Sequence, residues 1–279
     1  MPRHDLTHAC HDPAHCLAPG LFRSLRKGER KTGKLSVVYE RGDGLRIEFK
    51  GPEPLGVDDL RILQGLVAMA GPSGLQLSPE PVTEDGRQLR LALEAKWDAT
   101  QQDALVVKGS YRALAREIGY SGASENTKTI HECIERLWMV SIIAQAGKKR
   151  QGFRLLSEYA SESDERGGKL YVALNPMIAK AIMGAQHVRI SMTEVRSLNT
   201  DAARLIHQRL CAWINPAGKA RRVALDSLSG YIWPEASPNK NTDKTRKQTT
   251  RKALAELEGV GWMVEEYTHS KFLIGRPAV

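Results

Sequence analysis

One stretch of the chain is rich in side chains that bind phosphates and base edges. Between Asn239 and Lys252 it carries six cations against a single acid, Asp243, a local excess of +5. Lysine and arginine pair with phosphate oxygens, and asparagine, threonine and glutamine hydrogen-bond to base edges. A solvated charged helix is the alternative. The excess of one sign, mixed with these amides and hydroxyls, favours the binding of double-stranded DNA.

Helical periodicity indicates how this stretch is presented. Thr250, Leu254 and Leu257 recur at i, i+4 and i+7, which makes one apolar face of a helix. The opposite side carries Thr245, Gln248 and Lys252, with Lys244 and Arg251 at its margins.

The neighbouring segments place this helix in a known layout. A short amphipathic helix is predicted over 224–234, and two strands are predicted over 261–267 and 271–274. Short helix, turn, basic helix and hairpin is the order of a winged helix-turn-helix, in which the second helix enters the major groove and the hairpin lies along the backbone. The predicted DNA contacts of this unit are Lys240, Asn241, Thr242, Lys244, Thr245, Lys247, Gln248, Arg251, Lys252 and Lys271.

The same order of elements is predicted twice in the chain, at 58–157 and at 191–275. Trp138-Met-Val and Trp262-Met-Val end the second helix of each unit. A helix is predicted over 193–214, strands over 88–94 and 169–174, and a hairpin of 141–145 with 153–157. The duplication predicts an α+β fold of two tandem winged helix-turn-helix domains.

The two predicted units differ in charge. Over 125–136 the second helix of the first unit has a net charge of −1, which disfavours contact with phosphates. We therefore expect the second unit to be the main DNA reader. The first unit would touch DNA, or another protein, through a smaller set of residues: Ser124, Lys128 and the hairpin tip Lys148, Lys149 and Arg150.

Composition sets the class of protein and of partner. The 279 residues carry 41 Lys and Arg against 32 Asp and Glu, a net charge of +9 that attracts polyanions. No apolar run approaches the roughly 20 residues that span a bilayer, and no signal peptide is visible, so we expect a cytoplasmic protein.

Residues 1–35 are polar and basic and are predicted to form an arm that either docks onto nucleic acid or orders on the core.

Two motifs suggest other chemistry weakly. Residues 28–34 have the G-x-x-x-x-G-K spacing of a phosphate-binding loop, but Leu35 stands where Ser or Thr is needed. Cys10, His11, His15 and Cys16 could ligate zinc, but C-x5-C is not a usual spacing. No catalytic constellation is legible. We expect no metal, no cofactor and no enzymatic activity.

Several longer segments carry a resemblance to a known family. The segments 11–23, 51–56, 59–72, 107–115, 133–138 and 151–160 resemble the RepC replication initiators of IncQ-type broad-host-range plasmids. The resemblance covers nearly the whole chain and is loosest over 161–168 and 216–250. It implies binding to directly repeated iterons at the plasmid origin, opening of an adjacent AT-rich segment, and recruitment of a plasmid helicase, with a primase acting afterwards.

These observations give one domain scheme and two functional hypotheses. We predict a basic arm over 1–35, a first winged-helix domain over 36–174 and a second over 175–279, with possible self-association. The leading hypothesis is an iteron-binding replication initiator. The alternative is a tandem winged-helix transcription repressor, which would bind an inverted repeat and recruit no helicase.

Overall fold

The computed structural model describes residues 6–73, 75–77, 104–120, 124–162, 168–182 and 186–278. None of the helices in this part of the chain is long and apolar enough to cross a bilayer. The helices are α1 (Pro13–Leu17), α2 (Glu29–Thr32), α3 (Val57–Ser73), α4 (Tyr111–Glu117), α5 (Ser124–Met139), α6 (Pro176–Ile182), α7 (Met192–Ser197), α8 (Asp201–Trp213), α9 (Leu225–Ile232) and α10 (Lys240–Gly259).

Thirteen strands are described, and they pair antiparallel in four sheets of order β1-β10, β2-β3-β6-β7, β4-β5-β9-β8 and β11-β13-β12. The strands are β1 (His8–His11), β2 (Leu35–Glu40), β3 (Leu45–Gly51), β4 (Leu75–Leu77), β5 (Ala104–Gly109), β6 (Ser141–Ala146), β7 (Lys149–Arg154), β8 (Leu156–Glu162), β9 (Lys169–Leu174), β10 (Val188–Ser191), β11 (Arg221–Ala224), β12 (Met263–Thr268) and β13 (Lys271–Gly275).

The predicted units 58–157 and 191–275, called the first and the second half from here on, are similar in the order of their elements. In the second half, α8 is followed by β11, the helices α9 and α10 and the hairpin β12–β13. In the first half, α3 is followed by β4 and, beyond residues 78–103, which lie outside the described part of the chain, by β5, the helices α4 and α5 and the hairpin β6–β7. The strand before the helix pair, β5 or β11, lies beside the second strand of a hairpin, β9 or β13. The strand, helix pair and hairpin that begin at β5 and at β11 therefore occur in the predicted order. The strand predicted over 88–94 lies outside the described residues.

One hairpin differs from its predicted role. The sequence matches β6–β7 to β12–β13 through the shared Trp-Met-Val, but β6 is hydrogen-bonded along β3, from Leu45 opposite Ala146 to Lys50 opposite Ser141. The hairpin that occupies the place of β12–β13 beside the repeated strand is β8–β9. Ile142 is buried together with Phe49, so an apolar contact holds β6 in the other sheet.

The helix predicted over 193–214 is two helices. The chain is extended at Leu198, and Thr200 begins α8 by accepting a hydrogen bond from the backbone N–H of Ala203. Thr200 is a good N-cap residue, and the apolar periodicity continues across the break. Periodicity alone did not reveal the interruption.

The first part of the predicted arm lies in the core. β1 pairs with β10, so that His8 stands opposite Ser191 and His11 opposite Val188. Leu6, Ala9, Ala14, Leu21 and Phe22 are buried with the residues of both halves in one apolar cluster. Of the two alternatives predicted for the arm, residues 6–22 therefore follow the one in which the segment orders on the core. The sequence could not decide between these alternatives, because burial there depends on pairing with a strand about 180 residues away.

Candidate nucleic-acid interface

The helix α10 presents one buried and one exposed face, as predicted. Asn239 begins it, because its side-chain oxygen accepts a hydrogen bond from the backbone N–H of Thr242 at 2.8 Å. Thr250, Ala253, Leu254 and Leu257 are buried, and the helix packs on α8 and α9. Twenty residues make a rod about 30 Å long.

The exposed face carries most of the predicted DNA contacts. Thr242, Lys247 and Arg251 are half-buried, and the exposed side chains are those of Lys240, Asn241, Lys244, Thr245, Gln248 and Lys252. The Thr245 hydroxyl donates to the backbone oxygen of Asn241 at 3.0 Å, so its side chain is already oriented.

Some cations of α10 are held by acids of the protein itself. Lys247 Nζ lies 3.0 Å from a carboxylate oxygen of Asp226 and 3.0 Å from one of Asp243. Hydrogen bonds from Lys247 to Asp226 and Asp243 raise the pKa of its amine. Within the described residues, Lys240, Lys244 and Lys252 make no ion pair. These three lysines are therefore the cations of α10 most available to phosphates.

A second ion pair joins α10 to the hairpin β12–β13. Arg251 Nη1 donates to Glu266 Oε2 at 2.7 Å, and its Nη2 donates to the Ser270 hydroxyl at 3.2 Å. Glu266 Oε1 also accepts from the backbone N–H of Ser270 at 2.7 Å, which shapes the turn. Lys271, next in the chain, is exposed. The structure thus brings Lys271 and α10 into one surface.

Arg246 is a structural residue. It is 8% exposed, its Nη1 donates to the backbone oxygen of Glu235 at 2.7 Å, and its guanidinium lies 5.3 Å from the centre of the Trp233 ring. These contacts attach α10 to the segment that leads into it.

The predicted contacts in the first half lie on different elements. Lys128 is exposed on α5, whose first residue is Ser124. Lys148, Lys149 and Arg150 are exposed at the tip of β6–β7, which belongs to the β2–β3 sheet. Further along α5, Glu135 pairs with His131 at 3.3 Å and Arg136 pairs with Asp59 at 2.9 Å. Within the described part of the chain, no ion pair joins these cations to an acid of α10.

Sequence reasoning missed the residues that organise this surface. Asp226 and Glu266 hold Lys247 and Arg251, and neither acid lies on α10. The cap at Asn239 did have a signal, since asparagine directly before a helical pattern is a preferred N-cap.

The segment with phosphate-loop spacing does not form that loop. Gly28 to Lys34 makes the single helical turn α2, and Leu35 begins the strand β2 rather than a helix. The Arg30 guanidinium donates to Asp59 at 3.0 Å.

The cysteines and histidines near the N-terminus do not converge as metal ligands. His11 and His15 are buried, and none of their ring nitrogens has a hydrogen-bond partner. Burial and the neighbouring His15 lower the pKa of His11 to about 3, so it is neutral. Among the described residues, the one group of three metal-binding side chains is Glu194, His207 and Cys211.

That group is arranged as an ion pair. His207 Nε2 lies 2.7 Å from Glu194 Oε2, and Trp262 Nε1 donates to the same oxygen at 2.8 Å. Burial alone would raise the pKa of Glu194, but the hydrogen bonds from His207 and Trp262 outweigh it and lower that pKa.

Comparison with known structures shows which folds are similar. The crystal structure of RctB domains 2–3 matches with a TM-score of 0.55 and 10% identity over 94% of this chain and 96% of that one. A selenomethionine structure of domains 2 and 3 of RctB gives a TM-score of 0.56 and 11% identity over 91% and 89%. The Pi initiator protein in complex with iteron DNA gives 0.49 and 14% over 78% and 90%. The architecture is thus a mixed α/β fold similar to that of the RctB domains.

Comparison of sequences gives the family. No curated protein sequence matches this chain significantly. The profile of the family described as Replication protein C (RepC) matches residues 3–278, almost the full length. The chain therefore belongs to the Replication protein C family.

Proposed function

We propose that this protein initiates plasmid replication by binding directly repeated iterons at the origin as a double-stranded DNA-binding protein. Family membership supports a role in replication. The observation that carries the DNA-binding part is α10, whose buried face is apolar and whose exposed face combines lysines with Asn241, Thr245 and Gln248. In this proposal each half is a winged helix-turn-helix, and α10 is the helix that enters the major groove.

The polar and the cationic side chains of α10 are proposed to contact different parts of the DNA. Asn241, Thr245 and Gln248 would hydrogen-bond to base edges and so select the sequence. Lys240, Lys244 and Lys252 would pair with phosphates, and Thr242 would add a neutral contact. Lys247 and Arg251 are already engaged with acids, and we assign them to positioning as well as to phosphate contact. Lys271 would follow the backbone from the turn of the hairpin.

The first half would supply weaker contacts. Lys128 and the tip residues Lys148, Lys149 and Arg150 are exposed and cationic, which suits contacts with phosphates. Ser124, at the start of α5, is the remaining proposed contact. If about eight cations of the two halves meet phosphates, the logarithm of the binding constant should fall with the logarithm of salt at a slope near −7.

Binding of several copies would supply the free energy for opening the origin. Separating DNA strands costs on average about 1.4 kcal/mol per stacked step. We propose that copies on neighbouring iterons bend the DNA, that negative supercoiling assists opening of the AT-rich segment, and that the complex recruits the plasmid helicase, with a primase acting afterwards. No nucleotide hydrolysis by this chain is required, and self-association would follow from the repeated sites.

Footprinting on the cognate plasmid origin tests the proposal. We expect protection of direct repeats and permanganate reactivity in the adjacent AT-rich segment. Protection of an inverted repeat over a promoter, without reactive thymines, would instead establish the transcription repressor.

A variant of α10 tests the site itself. The triple substitution Lys244→Ala, Gln248→Ala and Lys252→Ala alters exposed residues, so the fold should survive. We expect loss of discrimination between iteron and scrambled duplex. The control is Lys180→Ala with Lys219→Ala, two exposed lysines outside α10, which should keep that discrimination. A triple variant that still distinguishes the iteron would refute the role of α10.

A further inference from the structure

The segment 23–34 is fixed beside the entrance to α10. The Arg23 guanidinium bridges Glu29 Oε1 at 2.5 Å and Glu235 Oε1 at 2.6 Å. The backbone N–H of Ser24 donates to the oxygen of Ile232, the last residue of α9, at 3.0 Å. The segment is therefore attached to the connection between α9 and α10.

The other end of the segment is attached to the first half. Arg30 Nη1 donates to Asp59 Oδ2 at 3.0 Å, and the other oxygen of Asp59 accepts from Arg136 at 2.9 Å. Asp59 is fully buried, so this contact is shielded from salt. Arg23 and Arg30 together hold the segment between the two halves.

Two cations between these attachments are left exposed. Arg26 and Lys27 form no ion pair in the described part of the chain, and both are exposed. The turn that carries them is defined, because the backbone N–H of Arg26 donates to Glu29 Oε2 at 2.8 Å. Gly28 follows with a φ of 83°, a conformation that glycine adopts readily.

These cations face the start of α10. Arg26, Lys27 and Gly28 line an open cleft whose other lining residues include Trp233, Pro238 and Arg246. Pro238 directly precedes the cap residue Asn239, and Lys240 and Lys244 are exposed in the first turns of the helix. The cation-bearing turn and the basic end of α10 therefore border one surface.

We propose that Arg26 and Lys27 bind backbone phosphates of the same DNA duplex that α10 enters. This inference rests on the proposed function. The turn offers two cations, and cationic side chains are the usual partners of phosphate oxygens. Since Arg23 and Arg30 already hold the turn, little conformational entropy is lost when it meets DNA. The contact would extend the footprint of the second half toward the junction of the two halves.

Salt-dependent binding tests the inference. The variant Arg26→Ala with Lys27→Ala should bind iteron and scrambled duplexes more weakly by the same factor. Two lost phosphate contacts should make the log–log salt slope shallower by about 1.8, since each contributes about 0.9. The charge-conserving variant Arg26→Lys with Lys27→Arg should keep the parental slope. The control Lys180→Ala with Lys219→Ala removes the same charge elsewhere and should also keep it.

Each outcome decides the question. If the Arg26/Lys27 variant and the control have equal salt slopes, the phosphate contact does not exist. If the variant loses discrimination between iteron and scrambled duplex, the turn contacts bases, and the inference that it contacts only phosphates is wrong. Circular dichroism and thermal unfolding must show that all three variants fold. Failure of the proposed function would appear differently, as absence of iteron discrimination in the unaltered protein.

Discussion

Trp262 Nε1 donates a hydrogen bond to Glu194 Oε2 over 2.8 Å, joining the start of β12 to α7. His207 of α8 contacts the same oxygen at 2.7 Å. Trp262 and His207 are buried, and their rings meet edge to face with centroids 5.8 Å apart. The Glu194 carboxylate thus links α7 to α8 and to the segment that follows α10. These contacts lie on the buried side of α10, opposite its exposed face.

This arrangement predicts a pH-dependent stability. Burial alone would lower the pKa of His207, but its interactions with Cys211 and Glu194 outweigh burial and raise that pKa to about 9 from an ordinary 6.5. A raised pKa means that the folded protein holds the proton more tightly than the unfolded chain. The stabilisation is therefore complete below about pH 6.5 and is lost as the pH rises towards 9.

Thermal unfolding between pH 6 and 9.5 measures the effect. We expect the thermal midpoint of the unaltered protein to fall over this range. The free energy of unfolding should fall by at most about 1.4 kcal/mol per pH unit from this group. His207→Gln should be less stable at pH 6 and should show a flatter profile. The control His269→Gln, at an exposed turn, should reproduce the parental profile. A parental slope in His207→Gln would contradict the assignment.

Asp59 is predicted to be a major stabilising residue. Its carboxylate is fully buried and accepts from Arg30, Arg136 and the backbone N–H of Gly56, the last at 2.7 Å. Asp59→Ala leaves these donors without their partner and should reduce the free energy of unfolding by about 3–5 kcal/mol. Urea denaturation measures it. Asp43→Ala, which removes the partner of Arg41 in an exposed turn, should change stability little.

Gly65 is predicted to be required for the contact of α3 with α4. A Cβ atom at this position would lie 2.7 Å from Leu114 Cδ1 and would also overlap the side chain of Ile118. Gly65→Ala should therefore cost about 1–3 kcal/mol by overpacking, although alanine favours a helix. Gly71→Ala on the same helix meets no atom within 4 Å and should leave stability unchanged or slightly raised. Equal denaturation midpoints for the two variants would disprove the close contact.

The acids that hold Lys247 are predicted to limit DNA affinity. Asp226→Asn with Asp243→Asn removes both partners of Lys247 and two negative charges beside the exposed face of α10. DNA binding should become tighter, and the log–log salt slope steeper by about 0.9 if Lys247 gains one phosphate. The control Glu258→Gln with Glu265→Gln neutralises two exposed acids at the far end of α10 and on β12. A gain of the same size in the control would show a general charge effect only.

The amphipathic helix α10 could be predicted because its signal is local. The spacing of Thr250, Leu254 and Leu257 fixes which side of a helix is buried, whatever the helix packs against. The hairpin β12–β13 could also be predicted from the sequence, since two short strands flank one polar turn.

Contacts between distant segments had no such signal. The burial of residues 6–22 depends on β1 pairing with β10, and the place of β6 depends on β3 rather than on its neighbours in the chain. One strand can pair antiparallel with many others, so the sequence pattern of a strand does not predict which strand it pairs with.

By itself, the amino-acid sequence determined that a basic, amphipathic helix stands near the C-terminus between a short helix and a hairpin, and its segments were sufficient to place the chain in a replication family. The tertiary structure alone decided which cations are available and which are held, because Asp226, Glu266, Asp59 and Glu235 reach their partners from other elements. Periodicity depends on neighbours along one helix, whereas an ion pair depends on the approach of two elements in space.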